Sequence, residues 1–148
     1  MSYNRVALIG LGLIASSMYW AMKRAKMGSH VTGYARSSQT RETARKIGLC
    51  DSISEDLKGV VLDADLVVLC VPISVMGKIM AEIAPHLKAG CTVTDVGSVK
   101  RSVIDLVSPN VPKNVYFVPA HPLAGTEHSG PESGLSLIHI SEPTRRRG

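Results

Sequence analysis

Glycines near the N-terminus are the first residues whose types and spacing suit a chemical role. Gly10-Leu-Gly12-Leu-Ile-Ala15 follows a short apolar run and opens a helical pattern that begins with Leu13 and Ile14. The first glycine permits a tight turn, the second lets a pyrophosphate approach the backbone, and a small third residue allows close packing. The helix N-terminus then points free N–H groups at the phosphates. The motif predicts a dinucleotide site, with a structural turn or an S-adenosylmethionine site as alternatives.

A histidine is the second candidate. Of the five histidines, only His121 and His128 follow the last strand-like run at the side where ligands are expected. A neutral imidazole can accept the proton of a substrate hydroxyl while hydride leaves the same carbon, as an alcohol oxidation requires. A lone loop histidine is more often structural or exposed, so spacing alone leaves the role of His121 open.

Alternating strands and helices must position these residues. Apolar, β-branched runs predict strands at 5–9, 30–34, 64–71, 91–95 and 115–118, and helical periodicity predicts helices at 13–27, 39–47, 74–87 and 100–107. Such alternation implies right-handed crossovers and an α/β doubly wound parallel sheet. In such sheets ligands bind at the carboxyl ends of the strands. One crevice should therefore be lined by Gly10, Gly12, Val71, Pro72, Gly97, Ser98 and His121.

The end of the second strand bears on the choice of nucleotide. Ala35 stands where an acidic residue usually holds the adenosine ribose hydroxyls. Arg36, Ser37 and Ser38 follow it and are suited to a 2′-phosphate. These residues favour NADP slightly over NAD, although Arg36 is equally compatible with an ordinary solvated position.

Composition limits the other classes of function. The 148 residues are 45% hydrophobic, 20% charged and 4% aromatic, which is typical of one globular domain with little surface for base stacking. Arg145, Arg146 and Arg147, less Glu142, contribute two of the five net positive charges, and the other basic residues are scattered. We therefore expect no nucleic-acid partner.

Cysteine use and apolar runs indicate a cytoplasmic protein. Cys50, Cys70 and Cys91 are odd in number and widely spaced, which favours reduced thiols over disulfides or a metal site. The apolar stretch near the N-terminus is too short for a membrane span, and no cleavage site of a signal peptide follows it.

Four motifs together resemble the prephenate and arogenate (cyclohexadienyl) dehydrogenases of tyrosine biosynthesis. They are the glycine turn at 10–15, Asp-Leu-Val-Val-Leu-Cys-Val-Pro at 65–72, Thr-Asp-Val-Gly-Ser-Val-Lys at 94–100, and His-Pro-Leu-Ala-Gly-Thr-Glu-His-Ser-Gly-Pro at 121–131. The last two are specific to that family, whereas many dehydrogenases share the glycine turn. The resemblance runs from about residue 4 to Gly134 and implies a Rossmann-type doubly wound, mainly parallel sheet, incomplete at its C-terminal end.

The resemblance also implies an activity, the NAD(P)-dependent oxidative decarboxylation of prephenate to 4-hydroxyphenylpyruvate or of arogenate to tyrosine. Hydride leaves the ring carbon bearing the hydroxyl, and loss of carbon dioxide aromatises the ring. His121 would accept the hydrogen bond from that hydroxyl, Ser98 would help to orient both His121 and the hydroxyl, and Thr126 and Glu127 would border the substrate entrance. Ser98 is alternatively a helix cap, and Glu127 is alternatively a solvated residue.

The family enzyme is about twice as long, with a helical C-terminal domain that forms a homodimer and binds the substrate carboxylates. Nothing in this chain matches that domain, so we expect an inactive or weakly active fragment that binds cofactor and self-associates through uncovered apolar surface. Two alternatives remain: a Rossmann reductase of the β-hydroxyacid dehydrogenase type, and a non-catalytic nucleotide-binding module.

The final segment, 135–148, differs in composition from the residues before it. Leu135 to Arg145 resembles the translation of a transposase adaptor used to prepare sequencing libraries. We therefore expect a dinucleotide-binding domain at 1–134 followed by a non-native tail.

Overall fold

The computed structural model describes residues 3–27, 29–96 and 100–119. Six strands lie in these ranges: β1 (Arg5–Ile9), β2 (His30–Tyr34), β3 (Ser52–Ile53), β4 (Leu66–Leu69), β5 (Thr92–Asp95) and β6 (Tyr116–Phe117). The helices are α1 (Leu13–Arg24), α2 (Ser38–Ile47), α3 (Leu57–Val61), α4 (Ile73–Ile83) and α5 (Lys100–Val107), with 3-10 turns at Ala84–His86 and Ser108–Asn110.

The strands form one parallel sheet in the order β3-β2-β1-β4-β5-β6. Ile9 is in register with both Tyr34 of β2 and Leu69 of β4, so these three strands end at the same level. The winding direction reverses between β1 and β4, and in such sheets a crevice opens at the reversal. The predicted Rossmann-type doubly wound sheet is confirmed.

Apolar residues on both faces of the central strands explain why the sheet is covered by helices on both sides. Alternate residues of β1 point to opposite faces, and all four residues of β4 are buried. One face packs Val6, Leu8, Leu66 and Val68 against Met18 and Met22 of α1. The other packs Ala7, Ile9, Val67 and Leu69 against Met76 and Met80 of α4.

A charged side chain ties the amino ends of the strands together. The Asp65 carboxylate accepts hydrogen bonds from the backbone N–H groups of Asn4 and Arg5, each at 2.9 Å, and pairs with the Lys88 ammonium at 2.6 Å. Burial alone would raise the pKa of the Asp65 carboxyl, but Lys88 and the two N–H donors lower it below its usual value. Asp65 is therefore an ionised anchor between the starts of β1 and β4 and the segment leading into β5.

Several predicted boundaries are wrong. Helix α1 ends at Arg24 rather than residue 27, because Lys26 adopts a left-handed conformation (φ 54°) that interrupts a helix. The predicted strand 64–71 is a strand only over Leu66–Leu69, although the Asp65 and Cys70 N–H groups on either side still donate to the Arg5 and Ile9 carbonyl oxygens at 2.8 Å. No element was predicted between residues 47 and 64, where β3 and α3 lie. None of the helices in the described part of the chain is long and apolar enough to cross a membrane.

Candidate functional site

The glycine turn connects β1 to α1 at the carboxyl edge of the sheet. The Gly10 N–H donates to the Tyr34 carbonyl oxygen at 2.8 Å, which ties the turn to the end of β2. Gly12 occupies the N-cap of α1 and, having no side chain, contributes no capping hydrogen bond to the first turn of the helix. That first turn also contains no acidic residue. Within the described part of the chain, the N-terminus of α1 is therefore suited to bind an anion.

The two glycines of the turn have different roles. A Cβ at Gly10 would lie 2.4 Å from the Cys70 carbonyl oxygen, and its φ of +99° is one that other residues rarely adopt. A Cβ at Gly12 would meet nothing within 4 Å among the described atoms. Gly10 thus allows the turn to lie against β4, whereas Gly12 leaves its outer surface open to a ligand.

The loop after β2 presents two exposed residues beside this turn. Ala35 is buried and has no polar side-chain atom, while Arg36 and Ser37 are exposed. The Ser37 hydroxyl oxygen accepts a hydrogen bond from the Thr40 N–H at 3.4 Å and so caps α2. Among the described residues, the Arg36 side chain has no ion pair or hydrogen bond, so it is available to a ligand.

Arg41, on α2, holds this loop from behind. Its Nη1 donates to the Ala35 and Arg36 carbonyl oxygens at 2.7 and 3.1 Å, and its Nη2 lies 3.4 Å from the Glu55 carboxylate. Its guanidinium carbon is 5.8 Å from the centre of the Tyr34 ring, within cation–π range. Sequence reasoning missed Arg41, because nothing in the sequence distinguishes it from other basic residues of α2.

A cavity of about 440 Å³ lies beside the glycine turn, between the ends of β1, β2 and β4 and helices α3 and α4. This volume lies within the range of small-molecule sites. Its walls are mainly apolar, and charged groups stand among the lining residues. The apolar lining comprises Ile9, Tyr34, Leu57, Val71, Pro72, Val75 and Ile79, and the charged lining comprises Arg36, Lys78 and Glu82. An apolar cleft with a few charged groups suits an adenine ring with its ribose at the mouth.

Two further side chains lie near the carboxyl ends of β4 and β5. Burial, and then the neighbouring Cys50 and Asp95, raises the pKa of the Cys70 thiol to about 12, so Cys70 is a neutral thiol and not a nucleophile. Asp95, the last residue of β5, is fully buried. The described residues contain no cluster of His, Cys, Asp or Glu suited to a metal ion.

The structure brings together most of the predicted nucleotide-binding residues. Gly10, Gly12, Leu13, Ile14, Ala35, Arg36, Ser37, Val71 and Pro72 all lie at the carboxyl edge of β1, β2 and β4. The predicted residues Gly97, Ser98, His121, Thr126 and Glu127 lie outside the described residues, as does the tail 135–148.

A parallel, doubly wound sheet with an open glycine turn at its switch point defines the class of Rossmann-type dinucleotide-binding domains. The family described as "Prephenate dehydrogenase, nucleotide-binding domain" matches residues 20–139. The chain belongs to this family, as its motifs predicted.

Individual relatives agree with the family assignment. The chain is 42% identical over 141 residues to a cyclohexadienyl dehydrogenase of Zymomonas mobilis, covering 95% of this chain and 48% of that protein. It resembles the crystal structure of A. aeolicus prephenate dehydrogenase in complex with hydroxyphenyl propionate and NAD⁺, with TM-score 0.74, 27% identity, and coverage of 89% of this chain and 46% of the other. It also resembles Synechocystis arogenate dehydrogenase, with TM-score 0.68, 31% identity, and coverage of 80% and 40%. The chain thus spans about half or less of the length of these proteins.

Proposed function

We propose that this chain is the NAD(P)-binding part of an enzyme that oxidatively decarboxylates prephenate or arogenate, giving 4-hydroxyphenylpyruvate or tyrosine. The observation that supports this most strongly is the glycine turn, which lies against β4 on one side and is open on the other, at the switch point of a sheet whose family is prephenate dehydrogenase. The pyrophosphate would bind at the N-terminus of α1, and the adenine would occupy the cavity lined by Tyr34 and Val71.

The nucleotide is proposed to be NADP rather than NAD. Ala35 offers no carboxylate to the ribose hydroxyls, whereas Arg36 is exposed and unpaired among the described residues. A 2′-phosphate there would lie near the Arg36 guanidinium and the N-terminus of α2, both of which favour a dianion.

The chemistry is proposed to depend on His121 and Ser98. His121 would accept the hydrogen bond of the substrate hydroxyl as hydride leaves for the nicotinamide, Ser98 would orient His121, and Thr126 and Glu127 would border the substrate. The motifs that contain these residues support this assignment.

The assembly is also a proposal. Trp20 of α1 and Tyr116 of β6 are exposed apolar side chains, which supports packing against a further domain or a second chain. A cytoplasmic homodimer would use these surfaces, and the 148-residue chain alone would self-associate through them. Residues 135–148 are proposed to be a non-native tail.

Nucleotide binding and turnover should be measured separately. Calorimetry of the 148-residue chain should show binding of NADPH in preference to NADH, and Arg36→Ala should remove that preference. Fusing residues 1–134 to the C-terminal part of the Zymomonas mobilis relative should give prephenate-dependent reduction of the nucleotide, which His121→Asn should abolish. Nucleotide binding without turnover in a folded fusion would instead support a non-catalytic binding module.

A further inference from the structure

Two arginines on one face of α2 share a single carboxylate but differ in what else they contact. Arg41 and Arg45 both bind Glu55. Arg45 also pairs with Glu42 at 3.0 Å, on the same helix. Only Arg41 also reaches the carbonyl oxygens of the loop after β2. The chain therefore contains a matched pair of arginines, one of which touches the candidate nucleotide loop.

The surroundings of Arg41 make it unsuited to bind the nucleotide itself. Its side chain is only 12% exposed, and its positive charge is paired with the Glu55 carboxylate. Arg45, and then Arg41, lower the pKa of the Glu55 carboxyl, which is therefore ionised at neutral pH. Arg36, by contrast, is exposed on the same loop. Arg36 is therefore suited to bind the nucleotide, and Arg41 is suited to position the loop that carries Arg36.

We propose that Arg41 is a positioning residue that sets the selectivity of the chain between nucleotides with a 2′-phosphate and those with a 2′-hydroxyl. It acts by fixing the carbonyl groups of Ala35 and Arg36 and by supporting the Tyr34 ring, which lines the cavity. This inference rests on the proposed NAD(P)-binding function and adds to it the residue that places Arg36.

The geometry of the guanidinium explains why arginine is needed. A planar fork can donate to two carbonyl oxygens from one nitrogen while its other nitrogen faces a carboxylate and its plane lies near an aromatic ring. An ammonium group is a compact point charge on a flexible stem and cannot hold the two carbonyl oxygens and the carboxylate in one plane. With lysine at position 41, the loop would keep a positive charge but lose its fixed path, and Arg36 would no longer be held at the ribose.

The test compares NADPH and NADH affinity in Arg41→Lys and in its control, Arg45→Lys. The wild-type chain should prefer NADPH. In R41K the preference for NADPH should fall about tenfold, corresponding to the loss of one charge-assisted hydrogen bond between Arg36 and the 2′-phosphate. In R45K the preference should stay as in the wild type. In the double variant R36A/R41K the preference should be no lower than in R36A alone, because both substitutions act through the same contact.

A second pair of variants covers the case in which R41K does not fold, as judged by circular dichroism. Glu55→Gln should lower the NADPH preference, as R41K does. Glu42→Gln removes only the ion pair between Glu42 and Arg45 and should leave the preference unchanged.

The possible results separate the inference from the function. A wild-type chain that binds neither nucleotide contradicts the proposed function and removes the basis of the inference. A wild-type chain that binds both nucleotides equally contradicts the proposed preference for NADP and the inference built on it, but not NAD(P) binding itself. An R41K variant that weakens both nucleotides equally contradicts the inference alone, because a purely structural role lowers affinity without changing selectivity.

Discussion

Gly10 lies so close to Cys70 that a methyl group on its Cα would stand 2.4 Å from the Cys70 carbonyl oxygen. Cys70 follows β4, and its N–H donates to the Ile9 carbonyl oxygen at 2.8 Å. The start of the glycine turn is thus fixed against β4 on one side and against Tyr34 of β2 on the other. The orientation of α1 toward a phosphate depends on this close approach.

Gly10→Ala should destabilise the chain strongly. The backbone would keep a conformation unfavourable for alanine, and the methyl group would collide with main-chain atoms that cannot move independently of the sheet. We expect a loss of about 2–4 kcal/mol in the free energy of unfolding, measured by urea denaturation. Gly12→Ala is the control: it should lose at most about 1 kcal/mol but bind NADPH and NADH more weakly. Equal stability losses in the two variants would contradict the assigned roles.

Val75→Phe should fill the cavity beside the turn. Val75 is partly buried on α4 and lines the space proposed for adenine. We expect NADPH and NADH affinities to fall about tenfold or more, with little change in stability, because the larger ring has open space to enter. Ser74 lies on the same helix but does not line the cavity, so the Ser74→Phe variant should bind both nucleotides as the wild type does. Unchanged affinity in V75F, measured by calorimetry, would place adenine elsewhere.

All three cysteines should resist alkylation in the folded protein. Burial is the largest cause that raises the pKa values of the Cys50, Cys70 and Cys91 thiols to about 12, and at Cys91 it outweighs the lowering effect of Lys88. Such a pKa leaves roughly one thiolate in ten thousand at about pH 8. Intact-mass spectrometry after iodoacetamide treatment should show unmodified chain under native conditions and three additions in concentrated guanidinium. Cys70 is only half-buried, so rapid native labelling at this residue would contradict the raised pKa of its thiol.

Acid should weaken the anchor at Asp65. The folded-state pKa of this carboxyl lies below its usual value, so the stability it contributes is complete above about pH 4 and is lost as pH falls through the lower, folded-state pKa. Asp65→Asn should therefore cost about 1–3 kcal/mol at neutral pH, and the difference from wild type should shrink in acid. Lys88→Gln should cost less, because the Lys88 side chain is 42% exposed. A pH-independent difference between D65N and wild type would contradict this explanation.

The sequence predicts the sheet well because its long elements have strong periodic patterns. The bounds of β1, β2 and α5 agree with the structure, and the glycine turn lies where the motif indicates. The elements β3 and α3, of two and five residues, are too short for a pattern to be recognised. Arg41 could not be separated from Arg45 because the difference between them arises only when β2, β3 and α2 pack together. Ser98 and His121 remain predictions, since they lie outside the described residues.

The two ends of the sheet can evolve separately. Asp65 and Lys88 tie the strands at the amino end, whereas Arg36, Arg41 and the glycine turn lie at the carboxyl end. Substitutions at Arg36, the residue proposed to set nucleotide preference, would therefore leave the Asp65–Lys88 anchor unchanged. A library restricted to the exposed residues 36 and 37 should retain a high proportion of folded members, which would make this domain a suitable scaffold for converting between the two nicotinamide nucleotides.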